Sequence, residues 1–256
     1  MITSNSNPQV KNIIQLVKKA KARNEQRLFV VEGVKMFAEA PKEWIRQVYV
    51  SESFETKKEH KELLAHVSCE VVSDSVFKTM SDTQTPQGIL ALLQQPSYGV
   101  EDLLNQPAHL LVLEDIQDPG NLGTMFRTGE GAGISGIIMS RGTVDVFNPK
   151  VVRSTMGSIF RVPFFVAEDL KGIIEELKRR DVKHYAAHLL GSCSYDEPDY
   201  TGATAFLIGN EGNGLSDDIA SLADCRIRIP MAGQVESLNA AIAATLLMYE
   251  AARQRR

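Results

Sequence analysis

The polar residues best placed to do chemistry follow two apolar runs in the last fifth of the chain. The run 205–208 leads directly into the glycine-bearing loop 209–214, and the run 227–229 leads into 230–233. In an open α/β sheet, ligands bind beyond the carboxyl ends of the strands. These two loops, with the polar residues 236–239 that open a long helix behind them, therefore predict a ligand site.

A second polar group follows the apolar run 110–113. Asn121 suits the N-cap of a helix, and Arg127 falls inside that helix beside Met125 and Phe126. An arginine with apolar neighbours is either a salt-bridged helix residue or a site residue that faces a cleft. Spacing alone favours the salt-bridged alternative.

Other patterns lack the context that their chemistry needs. The glycines at 129, 131 and 133 come a helix too late for a dinucleotide loop and are predicted to end that helix. The loop 209–214 lacks the acidic residue that grips a ribose about 20 residues further on, which argues against a nicotinamide oxidoreductase. His184 and His188 on a strand would lie about 13 Å apart. We count both histidines as structural and predict no metal site.

Length and composition set the broad class. The 256 residues suggest about two domains, and 43% hydrophobic with 23% charged residues is typical of a globular chain. No apolar stretch is long enough to span a membrane, and the first residues show no signal-peptide core. Three distant cysteines without a CxxC pair argue against a disulfide framework. We therefore expect a cytoplasmic protein with no membrane partner.

Strands alternate with helices in two series, which predicts an α/β fold for each. The first domain is predicted over 1–95, the linker over 96–107 with one helical turn, and the second domain over 108–256. In the first domain, the helices are predicted over 8–22, from 34 to about 40, and over 56–67 and 75–80, and the strands over 28–31, 48–50, 71–72 and 88–93. In the second, near-continuous apolar runs predict the strands of a parallel sheet over 110–113, 136–139, 162–166, 184–187, 205–208 and 227–229.

The last helix, predicted over about 237–253, is apolar almost all the way round. One face can cover the sheet, and the other needs a second cover. A two-fold homodimer would supply it. A central position of the helix in the domain would explain the pattern equally well.

The first segment of the chain is basic although the net charge is −4. A cluster of this kind can bind phosphates by releasing counterions, but it is more often a solvated helix face. Glu25 is the only acidic residue within the cluster. The six cations of the cluster are Lys11, Lys18, Lys19, Lys21, Arg23 and Arg27.

Three long stretches resemble the motifs of the SpoU/TrmH family of RNA ribose 2′-O-methyltransferases, within the SPOUT superfamily. They are LEDIQDPGNLGTMFRTGEGAG with Asn121 and Arg127, LIGNEGNGLS with Glu211, and IRIPMAGQVESLNAAIAATLLMYEAARQ with Ser237 and Asn239. All three occur in order and cover roughly the second half of the chain. Residues 1–95 resemble, more loosely, the family's substrate-binding domain, which is similar to ribosomal RNA-binding proteins.

The resemblance implies S-adenosylmethionine as the methyl donor, a homodimer formed through the catalytic domain, and a deep trefoil knot. It implies catalytic roles for Arg127, Asn121, Glu211, Ser237 and Asn239. The expected cofactor-binding residues are Ile208, Gly209, Asn210, Glu211, Gly212, Ile229, Met231, Ser237, Leu238 and Asn239, because the donor needs an apolar slot edged by backbone groups.

Arg127 is the residue that the family resemblance makes catalytic. A guanidinium stays protonated at ordinary pH, so we interpret it as a clamp on phosphate and developing alkoxide and leave the proton acceptor open. Glu211 is expected to hold Arg127 or a residue of the partner subunit. Asn121, Ser237 and Asn239 would position the ribose and the donor.

The separate N-terminal domain favours large-subunit ribosomal RNA as the substrate, with the six cations of the first segment as phosphate contacts. Two alternatives stay open. One is a transfer RNA 2′-O-methyltransferase, and the other is a non-catalytic RNA-binding protein that keeps the fold.

Overall fold

The computed structural model describes residues 1–65, 67–104 and 107–256. It forms two compact units. Unit 1 contains residues 1–96 and 145–160, and unit 2 contains residues 97–144 and 161–256. No helix among the described residues is long and apolar enough to cross a membrane.

Unit 1 is a small α/β layer. Its four-stranded sheet has the order β1-β4-β2-β3, in which β4 runs antiparallel to β1 and β2 while β3 is parallel to β2. The strands are β1 (Leu28–Glu32), β2 (Ile45–Ser51), β3 (Cys69–Val72) and β4 (Ile89–Gln94). The first helices are α1 (Pro8–Lys18), α2 (Ala20–Gln26), α3 (Val34–Glu39), α4 (Glu52–Glu55), α5 (Lys61–Leu64) and α6 (Asp74–Met80).

The single helix predicted over 8–22 is wrong, because the chain breaks at Lys19. Lys19 is extended, with φ −126° and ψ 115°, and α2 starts anew after it. The Arg23 guanidinium turns back to donate to the carbonyls of Leu16 and Val17, at 2.6 and 3.1 Å. These carbonyls lie at the end of α1 and would otherwise lack partners. The bonds from Arg23 therefore stabilise the break between the two helices.

The helix predicted over 56–67 is also only partly present. A 3₁₀ turn over Lys58–His60 leads into the short helix α5, and residue 66 lies outside the described residues.

The segment 145–160 packs within unit 1 although it follows the first motif in sequence. Asp145 accepts from Arg23, and the rings of Phe147 and Phe29 lie 4.9 Å apart. The segment carries α9 (Pro149–Ser154), whose N-cap is Asn148. Nothing in the sequence pattern indicated this packing.

Unit 2 is built on a seven-stranded sheet in which every described pair of neighbours is parallel. Its order is β7-β6-β5-β10-β8-β11-β9. The strands are β5 (His109–Leu113), β6 (Gly136–Ser140), β7 (Phe164–Ala167), β8 (Lys183–Ala187), β9 (Cys193–Ser194), β10 (Thr204–Ile208) and β11 (Cys225–Arg228). The helices are α7 (Val100–Leu103), α8 (Pro119–Ala132), α10 (Leu170–Arg179), α11 (Asp217–Ser221) and α12 (Ala240–Gln254).

The predicted α/β class and parallel sheet are confirmed. All six predicted strands of this sheet are present, and the seventh, β9, is a two-residue edge strand that has no hydrophobic pattern to reveal it. Gly133 ends α8 in the left-handed conformation, as expected, whereas Gly129 and Gly131 lie inside the helix. Helix α7 supplies the single turn expected in the linker, and residues 105 and 106 lie outside the described residues.

Helices α8 and α12 pack side by side in the same direction. Asn239 donates to Asn121 near the two helix starts, and Thr245 donates to Thr128 further along. The contacts therefore step forward together along both helices. Helix α12 begins at Ala240 rather than at 237, because the Asn239 side chain accepts from the first backbone amides and acts as the N-cap.

Candidate functional site

A cleft of about 780 Å³ opens where the strands β8, β10 and β11 end. It lies at the carboxyl edge of the parallel sheet, as the sequence predicted. Of the predicted cofactor-binding residues, all except Asn239 line it. Apolar side chains such as Ile208, Ile229 and Leu247 line it together with the glycine-bearing loop.

The Asn210 side chain fixes the conformation of the loop 209–214. Its side-chain oxygen accepts from the amides of Gly212 and Asn213, and its side-chain nitrogen donates to the Asp115 carbonyl. Gly209 passes so close to Gly214 that a Cβ at 209 would come within 2.0 Å of the Gly214 backbone. Only glycine fits there, because the two ends of the loop approach each other closely.

Glu211 joins the first and second motifs. Its carboxylate accepts from the backbone amides of Gln117 and Asp118, both at 3.0 Å, and from the Asn121 side chain at 2.9 Å. Asn121 in turn accepts from Asn239 at 2.9 Å, so one chain of hydrogen bonds connects all three motifs. We call Glu211, Asn121 and Asn239 the motif network.

The charge of Glu211 is stabilised without a cation. Burial alone would raise its pKa, but the hydrogen bonds from Asn121 and from the amides of Gln117 and Asp118 outweigh burial and hold the pKa below its usual value. The expected bond to Arg127 within the chain is not formed. The carboxylate therefore stays ionised and organises neutral donors.

Arg127 lies on an exposed part of α8. It has no hydrogen-bond or ion-pair partner among the residues that the structure describes. The salt-bridged interpretation that spacing alone favoured is therefore wrong within this chain. Ser237 is likewise exposed and lines the cleft, whereas Arg127 is not among the residues that line it.

One wall of the cleft was missed by sequence reasoning. It is the loop after β8, where His188, Leu189 and Leu190 line the cleft. His188 lies just beyond the strand rather than on it, and its ring accepts from the amide of Leu190. The signal was available, because a loop that follows a parallel strand beside β10 and β11 must lie at the same edge of the sheet.

One of the predicted RNA-binding residues is contradicted. Arg23 is only 3% exposed, and it forms an ion pair with Asp145 at 2.5 Å. Its guanidinium is therefore satisfied inside unit 1 and cannot contact phosphate. The other five cations, Lys11, Lys18, Lys19, Lys21 and Arg27, are exposed.

Fold and site together define an α/β protein that binds a ligand beyond the carboxyl ends of a parallel sheet. Comparison with known proteins narrows this class. Residues 108–249 match the SpoU rRNA Methylase family, and residues 7–91 match the MRM3-like substrate binding domain. The chain therefore belongs to the SpoU rRNA methylase family, and the resemblance noted in the sequence is confirmed. The trefoil knot stays a prediction.

Several relatives match along nearly their whole length. The 23S rRNA (guanosine(2553)-2′-O)-methyltransferase RlmP of Bacillus subtilis is 35% identical, over 97% of this chain and 97% of that protein. A 23S rRNA (uridine(2479)-2′-O)-methyltransferase of Streptomyces viridochromogenes is 32% identical, over 89% and 83% of the two chains.

Solved structures agree with this result. The SpoU methyltransferase AviRb of Streptomyces viridochromogenes, in complex with AdoMet, superposes with a TM-score of 0.89 at 28% identity, covering 97% of this chain and 98% of AviRb. An AdoMet-bound rRNA methyltransferase of Sinorhizobium meliloti gives a TM-score of 0.87 at 33% identity, covering 98% and 97%.

Proposed function

We propose that this protein is an S-adenosylmethionine-dependent methyltransferase that modifies a ribose 2′-hydroxyl of 23S ribosomal RNA in the cytoplasm. The observation that carries the proposal is the motif network, which joins Glu211, a residue that lines the cleft, to Asn121 and Asn239. A protein that only bound RNA would not need these polar groups beside a ligand cleft. The rRNA names of the full-length relatives favour this substrate over transfer RNA.

The cleft fits the proposed donor. Its volume of about 780 Å³ lies in the range of small-molecule sites, and its mixed lining suits a molecule with both an adenine ring and polar ends. Ile208, Ile229 and Leu238 offer apolar surface, and the loop 209–214 offers backbone groups. When bound, S-adenosylmethionine supplies an activated methyl group on a positively charged sulfonium.

The chain's own residues then have to orient the ribose and stabilise charge. Arg127 is one available cation, because it is exposed and has no hydrogen-bond or ion-pair partner among the described residues. Its planar fork suits an RNA phosphate and a developing alkoxide, and its proton stays in place at neutral pH. Arg127 therefore acts as a clamp rather than as a base.

The motif network holds the starts of α8 and α12 in place. Glu211 holds the turn at Gln117 and Asp118, from which α8 starts, and Asn239 caps α12 while holding Asn121. Asn121 and Ser237 are proposed to position the ribose and the donor.

A homodimer through the catalytic domain is part of the proposal. Ile242, Leu246 and Tyr249 on α12 are 49, 37 and 43% exposed, which leaves an apolar face uncovered. A second copy of the chain would cover this face by two-fold symmetry. Light scattering at micromolar concentration should report a dimer, and Leu246→Glu should shift it to a monomer. A monomeric wild-type protein would contradict this part.

The test of the proposal is tritiated methyl transfer to ribosomal RNA from a strain that lacks the gene, followed by mapping of the modified ribose. Arg127→Ala should lose at least about 100-fold in rate, since a charge-stabilising group of this kind contributes about that factor. Arg179→Ala, on an exposed part of α10, is the matched control and should keep the wild-type rate. Full methylation by Arg127→Ala would refute the assigned role, and methylation of transfer RNA alone would refute the proposed substrate.

A further inference from the structure

Two of the three cysteines meet at the edge of the large sheet. Cys193 lies in β9 and Cys225 begins β11, and they are 32 residues apart in the sequence. Their sulfur atoms lie 3.2 Å apart, with the Cys225 thiol donating to Cys193. Both side chains are partly exposed and therefore within reach of a reagent in solution.

The pair lies at the base of two walls of the cleft. The loop 188–192 connects β8 to β9 and carries the wall residues His188, Leu189 and Leu190. On the other side, β11 runs directly into the wall formed by residues 228–231. Any bond between β9 and β11 would therefore fix both walls relative to each other.

The backbone hydrogen bonds that attach β9 and the loop before it to the sheet run to β11. It is a two-residue strand at the edge of the sheet, paired on one side only. The backbone hydrogen bonds around it include Ser192 to Arg226 at 3.0 Å and Tyr195 to Arg228 at 2.9 Å. Short edge segments with few such bonds open at low free-energy cost.

We propose that Cys193 and Cys225 are a reversible thiol–disulfide pair, and that the disulfide locks the 188–192 wall of the cleft. The locked wall binds the donor more tightly, because a preorganised loop loses less freedom on binding. This effect on donor binding rests on the proposed function, whereas formation of the bond does not.

The chemistry is an exchange with a low-molecular-weight disulfide such as oxidised glutathione. The Cys193 thiolate attacks one sulfur of the oxidant and releases one glutathione as its thiol. Cys225 then attacks the Cys193 sulfur of the mixed disulfide, releasing the second glutathione and completing the protein disulfide. One disulfide is broken and one is formed, so the two protein thiol protons end on the two glutathione thiols.

The order of the two attacks follows from the surroundings of Cys225. Burial, followed by the hydrogen bond with Cys193 and the nearby Cys193 charge, raises the pKa of Cys225 to about 11. At neutral pH it is therefore a poor first nucleophile. In the mixed disulfide Cys193 carries no charge, so its contribution to the raised pKa of Cys225 is absent during the second attack.

The first measurement is a peptide map of the full-length protein after treatment with oxidised glutathione. We expect a cross-linked peptide pair containing Cys193 and Cys225, two hydrogens lighter than the reduced pair and lost on addition of dithiothreitol. Cys69, which is partly exposed in unit 1, is the internal control and should carry glutathione instead. Stable glutathione adducts on Cys193 or Cys225, or no reaction at either, would overturn the proposal.

The second measurement compares S-adenosylmethionine binding by calorimetry before and after oxidation. The oxidised protein should bind at least about threefold more tightly and melt roughly 5 °C higher, since the bond closes a long loop. Cys193→Ser should show neither change under the same treatment. An unchanged dissociation constant in the cross-linked protein would overturn the locking of the wall. Failure of the reduced protein to bind the donor at all would instead count against the proposed function.

Discussion

Two charged side chains connect distant parts of the sequence, and they do so by opposite means. Glu211, at the cleft of unit 2, is held by neutral donors, namely two backbone amides and the Asn121 amide. Arg23, in unit 1, is held by the opposite charge of Asp145 and is almost fully buried. The first group keeps an uncancelled charge, whereas the second is neutralised by its partner.

This difference separates a site residue from a structural one. A charge satisfied by neutral dipoles still acts on a ligand that arrives beside it. A charge paired with an opposite charge inside the protein acts little on a ligand. Its main effect is on stability, because removal of one partner destabilises the fold. The comparison therefore predicts that Arg23 matters for folding and Glu211 for chemistry.

The largest expected effect is on stability. Arg23→Ala leaves Asp145 without its cation and the last carbonyls of α1 without a donor. Removing one partner of a buried ion pair costs about 3 kcal/mol or more. The free energy of unfolding in urea should fall by about that amount. Lys21→Ala is the matched control, because Lys21 makes only an exposed pair with Glu25 at 3.8 Å and should change stability by less than about 1 kcal/mol. A similarly small loss for Arg23→Ala would contradict the stabilising role of this ion pair.

The next effect is on catalysis. Glu211→Gln keeps the shape of the side chain but replaces one acceptor oxygen by a donor that faces the amides of Gln117 and Asp118. We expect the methylation rate to fall about 100-fold, equivalent to about 2.7 kcal/mol, with a change in stability near 1 kcal/mol. Glu175→Gln, at an exposed position of α10, is the control and should leave both unchanged. A large loss of stability with normal activity would place Glu211 in the same class as Arg23.

The buried histidines are a third case, in which hydrogen bonds do not offset the cost of burying the charged form. His184 is fully buried, and neither ring nitrogen has a hydrogen-bond partner among the residues that the structure describes. Burial lowers its pKa to about 4 despite the opposing charge of Asp224. The unfolded chain therefore takes up a proton at pH 6.5 to 4 that the folded chain does not. Stability should fall as pH falls through this window, by about 1.4 kcal/mol per pH unit from this residue.

Urea unfolding at several pH values checks this prediction. His184→Leu should reduce the pH dependence of the free energy of unfolding below pH 6.5 and leave its slope unchanged at pH 7.5 and above. Burial also lowers the pKa of His109 to about 4. The variant should therefore keep the part of the pH dependence that comes from His109. An unaltered acid slope in the variant would show that His184 takes up its proton in the folded protein.

The sequence predicted the sheet of unit 2 because its strands are continuous apolar runs. Such runs are typical of parallel strands that are buried on both faces. It also predicted most of the cleft, since parallel strands must end at one edge. The motif network was beyond it, because Glu211 and Asn121 are 90 residues apart and their hydrogen bond depends on the fold. The sequence also placed Asn239 within the predicted last helix. That Asn239 caps this helix and donates to Asn121 depends on the fold as well.

The charge cluster of the first segment shows where such reasoning stops. Six cations share one sequence pattern, yet five are exposed and Arg23 is buried against a residue 122 positions away. Spacing gives no information on which member of a cluster meets an opposite charge in the folded protein. The segment 145–160 and the edge strand β9 were missed for the same reason, since only long-range contacts define them.

The smallest expected effects are those of the exposed cations on RNA affinity. Lys18→Ala and Lys19→Ala should each weaken binding of ribosomal RNA only a few-fold, and each should reduce the slope of log affinity against log salt by about 0.7 to 0.9, because each removes one phosphate contact. Lys171→Ala, at an exposed position of unit 2, is the control and should change neither the affinity nor the slope. Arg23→Ala should not alter the slope in protein that remains folded, since its charge is already neutralised by Asp145. If its slope fell like those of the lysines, the buried ion pair between Arg23 and Asp145 would have to open on contact with RNA. Pairing with an opposite charge would then not mark a residue as structural.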